Sequence, residues 1–298
     1  MPGRSSQFTA LSAEEERLSE RLREHVGALA VGERNIWRSG SLEAAATYIE
    51  KSLSALGYET REQVFSSAQK QVKNLEVEVV GKGDEIVIIG AHYDSVPGSP
   101  GANDNASGVA ALIELAREFR QEKPKRRLRF VAFVNEEMPF FSSGEMGSQK
   151  YAARSKEGSE KIIAMISLET IGCYSDEPNS QRYPAPLSLF YPAEGNFIGF
   201  VGNLRSGALV RRAIGTFRET TQFPSEGASL PEWIPGVSWS DHASFWPHGY
   251  RAIMVTDTAP YRYPYYHAAQ DTADKLDYAR MARVVSGLQK VIEDLTHN

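Results

Sequence analysis

Histidine and acidic side chains recur in this 298-residue sequence at the ends of short apolar runs and in the loops beside them. These side chains are His92, Asp94, Asp104, Glu136, Glu137, Glu169 and His267. Apolar runs of this length are typical of buried strands, so a carboxylate that directly follows one is expected to be partly buried. A buried negative charge needs a partner or a metal ion, and lysine and arginine are scarce at these positions. The pattern therefore indicates divalent cations as the counter-charge.

The side-chain types match the ligands that zinc prefers, because imidazole nitrogen and carboxylate oxygen bind zinc at about 2.0 to 2.2 Å. Two histidines and three acidic residues can hold two ions when one carboxylate bridges them, whereas a single ion would leave some of them unused. The adjacent residues Glu136 and Glu137 could then provide one ligand and one base for an attacking water. In extended backbone their side chains point to opposite sides, so the chain must turn there for both to reach one site.

Other common catalytic signatures are absent from the sequence. It contains no His-Glu-x-x-His, Gly-x-Ser-x-Gly or Walker loop, and Gly81-x-Gly83 lacks the third glycine of a dinucleotide-binding loop. The single Cys173 rules out an internal disulfide framework and any zinc site built on two or more cysteines. Any one of the acidic or histidine candidates could be a packed or solvated side chain, but their joint placement favours a metal site.

The elements that must position these side chains alternate along the chain. Predicted strands cover 75–79, 86–89, 130–134, 162–168 and 252–256, with the first two joined as a hairpin by a turn at 81–84. Predicted helices cover 12–29, 42–57, 106–121, 146–155, 206–219 and 275–295. Strands that alternate with helices indicate a layered α/β domain, in which ligands bind at the carboxyl ends of the strands.

The length permits one large domain or two small ones, and we expect a single domain over residues 1–298. Apolar residues make up 41% of the chain and charged residues 24%, so it can bury a core without disulfides. A net charge of −5 without a basic block argues against a nucleic acid or an anionic membrane as main partner. The chain starts without an apolar leader and has no run of about 20 apolar residues, so we expect a cytoplasmic protein. Its oligomeric state is not indicated.

One stretch, at about 174–237, combines prolines with aromatic residues. Seven of the fifteen prolines fall between Pro178 and Pro235. Long irregular segments in compact domains are often binding loops, so this stretch predicts the walls of a pocket. The aromatic side chains expected to line it are Phe190, Tyr191, Phe197, Phe223 and Trp233. A cleft of this kind favours apolar ligand groups.

The sequence around the candidate side chains resembles the dizinc aminopeptidases, a family of zinc exopeptidases that also contains glutamate carboxypeptidase and, as relatives, the glutaminyl cyclases. The resemblance covers about residues 85–275. It is carried by the stretch from His92 to Asp104, by Asn135-Glu136-Glu137, by Glu169, by Ser240-Asp241-His242 and by His267. It implies one three-layer α/β domain with a mixed, mostly parallel sheet of about eight strands flanked by helices.

The resemblance also implies the metal ligands. His92 and Glu169 would hold one zinc ion. Glu137 and His267 would hold the other, and Asp104 would bridge the two. Position 169 is often aspartate in this family and is glutamate here, which bears on the geometry of the metal site. Cobalt or manganese could take the place of zinc.

Two further roles follow from the resemblance. Glu136 would be the general base, and Asp94 would orient the imidazole of His92 by accepting its second N–H. Some members of the family place an oxyanion-stabilising tyrosine shortly before the Ser-Asp-His motif, where this chain has 236–239 without a tyrosine. Tyr266 and His242 are the remaining candidates for that donor, and His242 could equally form a packing pair with its neighbour Asp241.

These implications predict an enzyme that hydrolyses the N-terminal peptide bond of peptides with a free N-terminus, and the aromatic pocket predicts a preference for Leu, Met or Phe over Asp or Glu. A glutaminyl cyclase-like transferase with one zinc ion is the nearest alternative. A carboxypeptidase for acidic C-terminal residues would need a cationic pocket, which the 174–237 stretch could furnish only from a few arginines. A non-catalytic binding module is disfavoured because all five ligands and the base are present.

Overall fold

One eight-stranded sheet runs through this computed structural model, which describes residues 10–298. The strands are β1 (Arg61–Ser67), β2 (Lys70–Val79), β3 (Glu85–His92), β4 (Arg127–Phe133), β5 (Lys161–Glu169), β6 (Ile198–Asn203), β7 (Ser225–Leu230) and β8 (Ala252–Thr256). The helices are α1 (Ala13–Leu29), α2 (Ser39–Ala55), α3 (Gly108–Phe119), α4 (Gly147–Glu157), α5 (Gly207–Thr220), α6 (Ala259–Arg262) and α7 (Tyr278–His297). None of the helices in residues 10–298 is both long and apolar enough to cross a lipid bilayer.

The strand order is β1-β2-β4-β3-β5-β8-β6-β7. The pairs β4–β3, β3–β5, β5–β8 and β6–β7 are parallel, and the other three pairs are antiparallel. The four central strands therefore run in one direction, and their carboxyl ends meet at one edge of the sheet. This confirms the predicted single α/β domain with a mixed, mostly parallel sheet of about eight strands.

Side chains on the central strand β3 show how the layers are formed. Val87 and Ile89 belong to the larger core, to which α1, α2, α3, α5 and α7 contribute. Ile86 and Ile88 belong to a smaller core on the opposite face, formed with α4 and the turn at 241–248. Because successive side chains of a strand point to opposite faces, a continuous apolar run is what a strand between two helical layers requires.

The predicted hairpin between 75–79 and 86–89 is wrong. β4 lies between β2 and β3, antiparallel to the first and parallel to the second. β2 instead forms a hairpin with β1, through Ala68 and Gln69 in left-handed conformations. A strand that is buried on both faces takes its neighbours from crossover connections rather than from a short turn, which explains the difference.

The predicted strands at 130–134, 162–168 and 252–256 are confirmed as β4, β5 and β8, and all six predicted helices are present within a few residues of their expected ends. Strands β1, β6 and β7 are not predicted by the sequence patterns. The stretch 174–237 is accordingly not irregular throughout, because it contains β6, α5 and β7. These three strands lack a long apolar run, and β7 reads Ser-Glu-Gly-Ala-Ser-Leu, so strand periodicity gives little signal there.

Candidate metal centre

The carboxyl ends of β3 and β5 bring two of the candidate side chains together. His92 is the last residue of β3 and Glu169 the last residue of β5. Both lie almost entirely out of solvent, with exposed fractions of 0% and 9%. Their position follows from the parallel register of the two strands, which pairs Gly90 with Ser167.

The chain turns sharply after β4. A turn is needed there for the side chains of Glu136 and Glu137 both to reach one site. Asn135 adopts a left-handed conformation with φ of 59°. The carboxylate of Asp94 then accepts the backbone N–H groups of Glu136, at 3.1 Å, and of Glu137, at 3.2 Å. Both glutamate side chains are buried beside the end of β3. Asp94 therefore fixes the backbone that presents them.

Asp104 is held in a tight turn just before α3. Gly101 has a φ of 61°, and a Cβ atom on it would lie 2.2 Å from the carbonyl oxygen of Asp104, so glycine is needed for this path. The carboxylate of Asp271 accepts the backbone N–H groups of Asn103 at 2.8 Å and of Asp104 at 3.1 Å. The hydroxyl of Tyr263 donates to the same carboxylate at 2.9 Å.

One group of potential ligand atoms comes from His92, Asp104 and Glu169, within 4.8 Å of one another. His92 Nε2 lies 3.3 Å from Asp104 Oδ1 and 3.4 Å from Glu169 Oε2. Two ligands bound to one tetrahedral zinc ion at about 2.1 Å would be about 3.4 Å apart. His92 Nε2 and Asp104 Oδ1 are buried without a hydrogen-bond partner among residues 10–298, as expected of atoms that serve a metal. The group fits a zinc ion.

A second group comes from Asp104, Glu137 and His267. His267 Nε2 lies 3.1 Å from Asp104 Oδ2 and 3.3 Å from Glu137 Oε2. Asp104 thus faces the first group with one oxygen and the second with the other. His267, whose side chain is 33% exposed, sits on the solvent side. The structure brings together the five residues expected as ligands, and their imidazole and carboxylate donors suit zinc.

Glu136 lies beside these groups and belongs to neither of them. Its Oε2 is 3.9 Å from His92 Nε2, and the residue is 7% exposed. Burial, together with the negative charges of neighbouring carboxylates such as Glu169, raises the pKa of Glu136 well above its ordinary value. Burial and nearby carboxylates likewise raise the pKa of Glu137. Divalent cations would relieve this repulsion.

Asp94 does not contact His92 in the manner expected. His92 Nδ1 lies 3.3 Å from the backbone carbonyl oxygen of Asp94 and 3.7 Å from its carboxylate. The carboxylate is engaged by the two N–H groups of Glu136 and Glu137 instead. Asp94 thus contacts His92 mainly through its own backbone carbonyl, and it holds the glutamate turn through its carboxylate.

The two oxyanion candidates lie in different surroundings. The Tyr266 ring stacks on the imidazole of His267, with ring centroids 3.8 Å apart. His242 Nε2 instead contacts the carbonyl of Val237 at 2.8 Å, and burial lowers the pKa of His242 to about 4. His242 packs edge-on against Trp246 and is part of the interior.

Ser240 is a site residue whose role is not predicted from the sequence. Its Oγ donates to Glu169 Oε2 at 2.7 Å and lies 2.8 Å from Ser167 Oγ. Asp271 is a second such residue, since it holds the backbone of Asp104. A signal for Ser240 was present, because it opens the Ser-Asp-His motif, whereas Asp271 follows no apolar run.

A cavity opens next to Glu169 and Tyr266, over the face of β6, β7 and β8. Only Tyr191 and Phe197 of the five predicted aromatic wall residues line it. Phe190 and Trp233 are 63% and 78% exposed, and Phe223 is buried against Tyr174. That part of the prediction is wrong because aromatic composition alone does not tell which side chains of a loop turn inward.

Comparison with known proteins gives a family match over most of the chain. Residues 74–292 match the family described as Peptidase family M28. The protein YfbL of Escherichia coli (strain K12) is 41% identical over 257 residues, which are 83% of this chain and 79% of that protein. Aminopeptidase YwaD of Bacillus subtilis (strain 168) is 43% identical over 103 residues, which are 34% of this chain and 21% of that protein.

Solved structures share the fold. The aminopeptidase from Aneurinibacillus sp. strain AM-1 matches with a TM-score of 0.71 and 18% identity over 95% of each chain. A glutaminyl cyclase from Bacteroides thetaiotaomicron matches with a TM-score of 0.70 and 18% identity, over 93% of this chain and 97% of that one. The family match confirms the resemblance read from the sequence: the chain belongs to peptidase family M28 and is a zinc-dependent hydrolase.

Proposed function

We propose that the chain is an aminopeptidase that uses two zinc ions to hydrolyse the first peptide bond of peptides with a free N-terminus. The observation that carries this proposal is the pair of ligand groups that share Asp104 through its two different oxygens. Membership of peptidase family M28 supports it, as does the similarity of 103 residues to an aminopeptidase of Bacillus subtilis.

Zinc ions held by the two groups would polarise the scissile carbonyl and lower the pKa of the attacking water. Glu136 would accept the proton of that water and later donate it to the leaving amine. Its burial next to His92, outside both ligand groups, supports this division of roles. Burial and the neighbouring carboxylates raise the pKa of Glu136, and a base with a raised pKa accepts a proton more readily.

The surrounding residues would keep the reacting groups in place. Asp94 and Asp271 accept backbone N–H groups of Glu136, Glu137 and Asp104, and Ser240 donates to Glu169. Such contacts to ligand residues preserve their orientation. Tyr266, which lies between the metal groups and the cavity, is our candidate for the donor to the developing oxyanion.

Recognition of a free N-terminus is consistent with the charge of the site. The buried carboxylates around Asp104 would attract a substrate ammonium group. The cavity beside Glu169 would receive the side chain of the first residue, while the rest of the peptide would leave past the exposed His267.

A glutaminyl cyclase on the same fold is the alternative, because one of the structural neighbours is such an enzyme. That activity would use one zinc ion and no attacking water. The second ligand group around Glu137 and His267 gives the two-ion proposal its advantage.

The test combines metal analysis with product analysis. The purified chain should hold two divalent ions, and a chelator should abolish release of free amino acids from aminoacyl-4-nitroanilides, with recovery after addition of zinc or cobalt. A constant content of one ion, together with pyroglutamate formed from an N-terminal glutamine peptide, would establish the cyclase instead.

A further inference from the structure

The floor of the cavity contains a second carboxylate, in line with the metal ligand Glu169. Register pairs Glu169 on β5 with Thr256 on β8, Thr256 with Gly199 on β6, and Gly199 with Glu226 on β7. Directly paired residues of neighbouring strands point to the same face of a sheet. The four residues therefore form one row, and all four line the cavity.

The two carboxylates are far enough apart to hold a long side chain between them. Glu169 and Glu226 are three strand spacings apart, which places their Cα atoms about 14 Å from each other. Only Thr256 and Gly199 lie between them on the floor, and a Cβ on Gly199 would come within 3.2 Å of the Thr256 carbonyl. The small residues leave the space above this row open.

The alternation along β7 directs Glu226 into the cavity. Ala228 and Leu230, two and four residues later, also line it. Ser225 faces helix α5 instead, where Arg218 Nε donates to its hydroxyl at 3.1 Å. Burial raises the pKa of Tyr191, and the negative charge of Glu226 adds to this increase. Burial also raises the pKa of Tyr183, where the charge of Arg262 opposes the increase and that of Glu226 adds to it. The carboxylate thus belongs to the far end of the cavity.

The chemistry of the lining suits a cation with an apolar stem. Among the described lining residues, the charged side chains are Glu226 and the proposed zinc ligand Glu169. The stacked rings of Tyr183 and Tyr191 lie at the same end, and aromatic faces attract cations. The next row of the floor is the apolar set Met254, Val201 and Ala228.

We propose that Glu226 is a specificity-determining residue that selects substrates with arginine or lysine as the first residue. The proposal rests on the aminopeptidase function proposed above. It replaces the expectation of Leu, Met or Phe, and it keeps the expectation that Asp and Glu are disfavoured, because the carboxylate of Glu226 repels an acidic side chain.

The dimensions agree with this choice. An extended arginine side chain reaches about 6 Å from its Cα to the guanidinium carbon, and the Glu226 side chain reaches about 4 Å from its own. Together the two side chains span about 10 Å of the roughly 14 Å between the Cα atoms of Glu169 and Glu226. The remaining distance leaves space for the substrate backbone next to Glu169. A leucine side chain reaches less than half as far as arginine, so it would leave the end of the cavity at Glu226 unfilled.

The first experiment compares substrates on the zinc-loaded wild-type chain. We expect kcat/KM for arginyl-4-nitroanilide to exceed that for the neutral citrulline analogue by about 10- to 100-fold, because hydrogen bonds to a charged partner contribute about 1.5 to 3 kcal/mol. The lysine substrate should exceed its norleucine analogue in the same way. Citrulline matches arginine in size, so that pair isolates the charge, and norleucine has the aliphatic stem of lysine without its terminal ammonium group. The comparison does not depend on the folding of any variant.

The second experiment assigns the preference to one residue. Glu226→Gln should reduce kcat/KM for the arginine and lysine substrates to the level of their neutral analogues, and should leave the leucine substrate within about threefold of wild type. Glu219→Gln, an equal charge change on an exposed residue of α5, should leave all rates unchanged.

The outcomes separate the two proposals. Cleavage of leucine, citrulline and arginine substrates at equal rates by the wild-type chain would overturn the role of Glu226 and leave the aminopeptidase proposal in place. An arginine preference that survives in Glu226→Gln would also overturn it. Failure of the zinc-loaded wild-type chain to cleave any aminoacyl substrate would overturn the aminopeptidase proposal and this one with it.

Discussion

The carboxylate of Asp271 accepts the backbone N–H of Asp104 at 3.1 Å. Asp271 lies four residues after His267 in the sequence. Its other oxygen accepts the N–H of Asn103 at 2.8 Å. Asp271 therefore ties the turn that carries Asp104, the proposed shared ligand, to the segment that carries His267. Asp94 performs the same task for Glu137 on the other side of the site. Two buried carboxylates that belong to neither ligand group thus hold the main chain of the residues that do.

This relationship predicts that Asp271→Asn weakens metal binding without removing a ligand. The amide keeps the size of the side chain but presents a donor to one of the two N–H groups, so one hydrogen bond is lost and Asp104 is less well restrained. We expect zinc affinity to fall by about 10- to 100-fold, measured by competition with a chromogenic chelator. Asp274→Asn, at an exposed position nearby, should leave zinc affinity unchanged. Unaltered zinc affinity in Asp271→Asn would show that the turn carrying Asp104 keeps its conformation without the Asp271 carboxylate.

Removal of the proposed shared ligand should have a larger effect. Asp104→Ala leaves each ligand group with two of its three protein ligands. The metal content should fall well below that of wild type, and Tm should fall with it, because bound metal contributes to the free energy of folding. Elemental analysis and thermal unfolding measure the two effects, with Asp84→Ala in an exposed turn as the control. Full metal content in Asp104→Ala would mean that Asp104 does not bridge.

The parts of the site that the sequence predicts are those attached to regular patterns. His92 and Glu169 end apolar strands, so their meeting at one sheet edge follows from parallel pairing. Glu137 also follows an apolar strand, whereas Asp104 and His267 lie in loops, which carry no periodicity. The ligand role of all five residues is implied by the resemblance alone. The floor of the cavity could not be predicted, because Glu226 lies in a strand that lacks an apolar run and its neighbours are set by register.

The N-terminal region also has a role that no sequence pattern indicated. Arg34 is buried and donates from Nε to the carbonyl of Tyr93 at 2.7 Å and from Nη2 to that of Gly101 at 2.8 Å. It thus joins the segment between α1 and α2 to both ends of the loop that leads to Asp104. Burial lowers the pKa of Arg34 to about 10, while the charges of Asp94 and Asp271 oppose that shift. An isolated arginine between helices carries no signal of such long-range contacts.

Away from the site, Glu114 should make stability depend on acid pH. Burial alone would raise the pKa of Glu114, but hydrogen bonds from His25 and Arg21 outweigh it and lower that pKa to about 2. A carboxyl whose folded pKa is lower than its unfolded value stabilises the fold above the unfolded value of about 4.3, and this contribution disappears as the pH falls toward 2. The contribution at pH 7 is about 3 kcal/mol.

Glu114→Gln should therefore lower the free energy of unfolding at pH 7, and its deficit relative to wild type should shrink as the pH falls from 5 to 3. Urea titrations at several pH values measure this difference. Effects of acid on the metal ligands are common to both proteins and cancel in the comparison. Glu122→Gln, an exposed change close by, should show no deficit at any pH. A deficit that stays constant with pH would contradict the assignment.

The final prediction separates the proposed base from the neighbouring ligand. Glu136→Gln keeps the size of the side chain and lies outside both ligand groups, so the variant should retain its metal. It cannot accept a proton, so kcat should fall by about 10²- to 10⁴-fold, equivalent to about 3 to 5 kcal/mol of barrier, with little change in KM. Glu137→Gln should instead lose metal, because Glu137 Oε2 is 3.3 Å from His267 Nε2 within the second group. Metal analysis and steady-state kinetics on both variants decide the matter: loss of an ion from Glu136→Gln with full metal in Glu137→Gln would require the two roles to be exchanged.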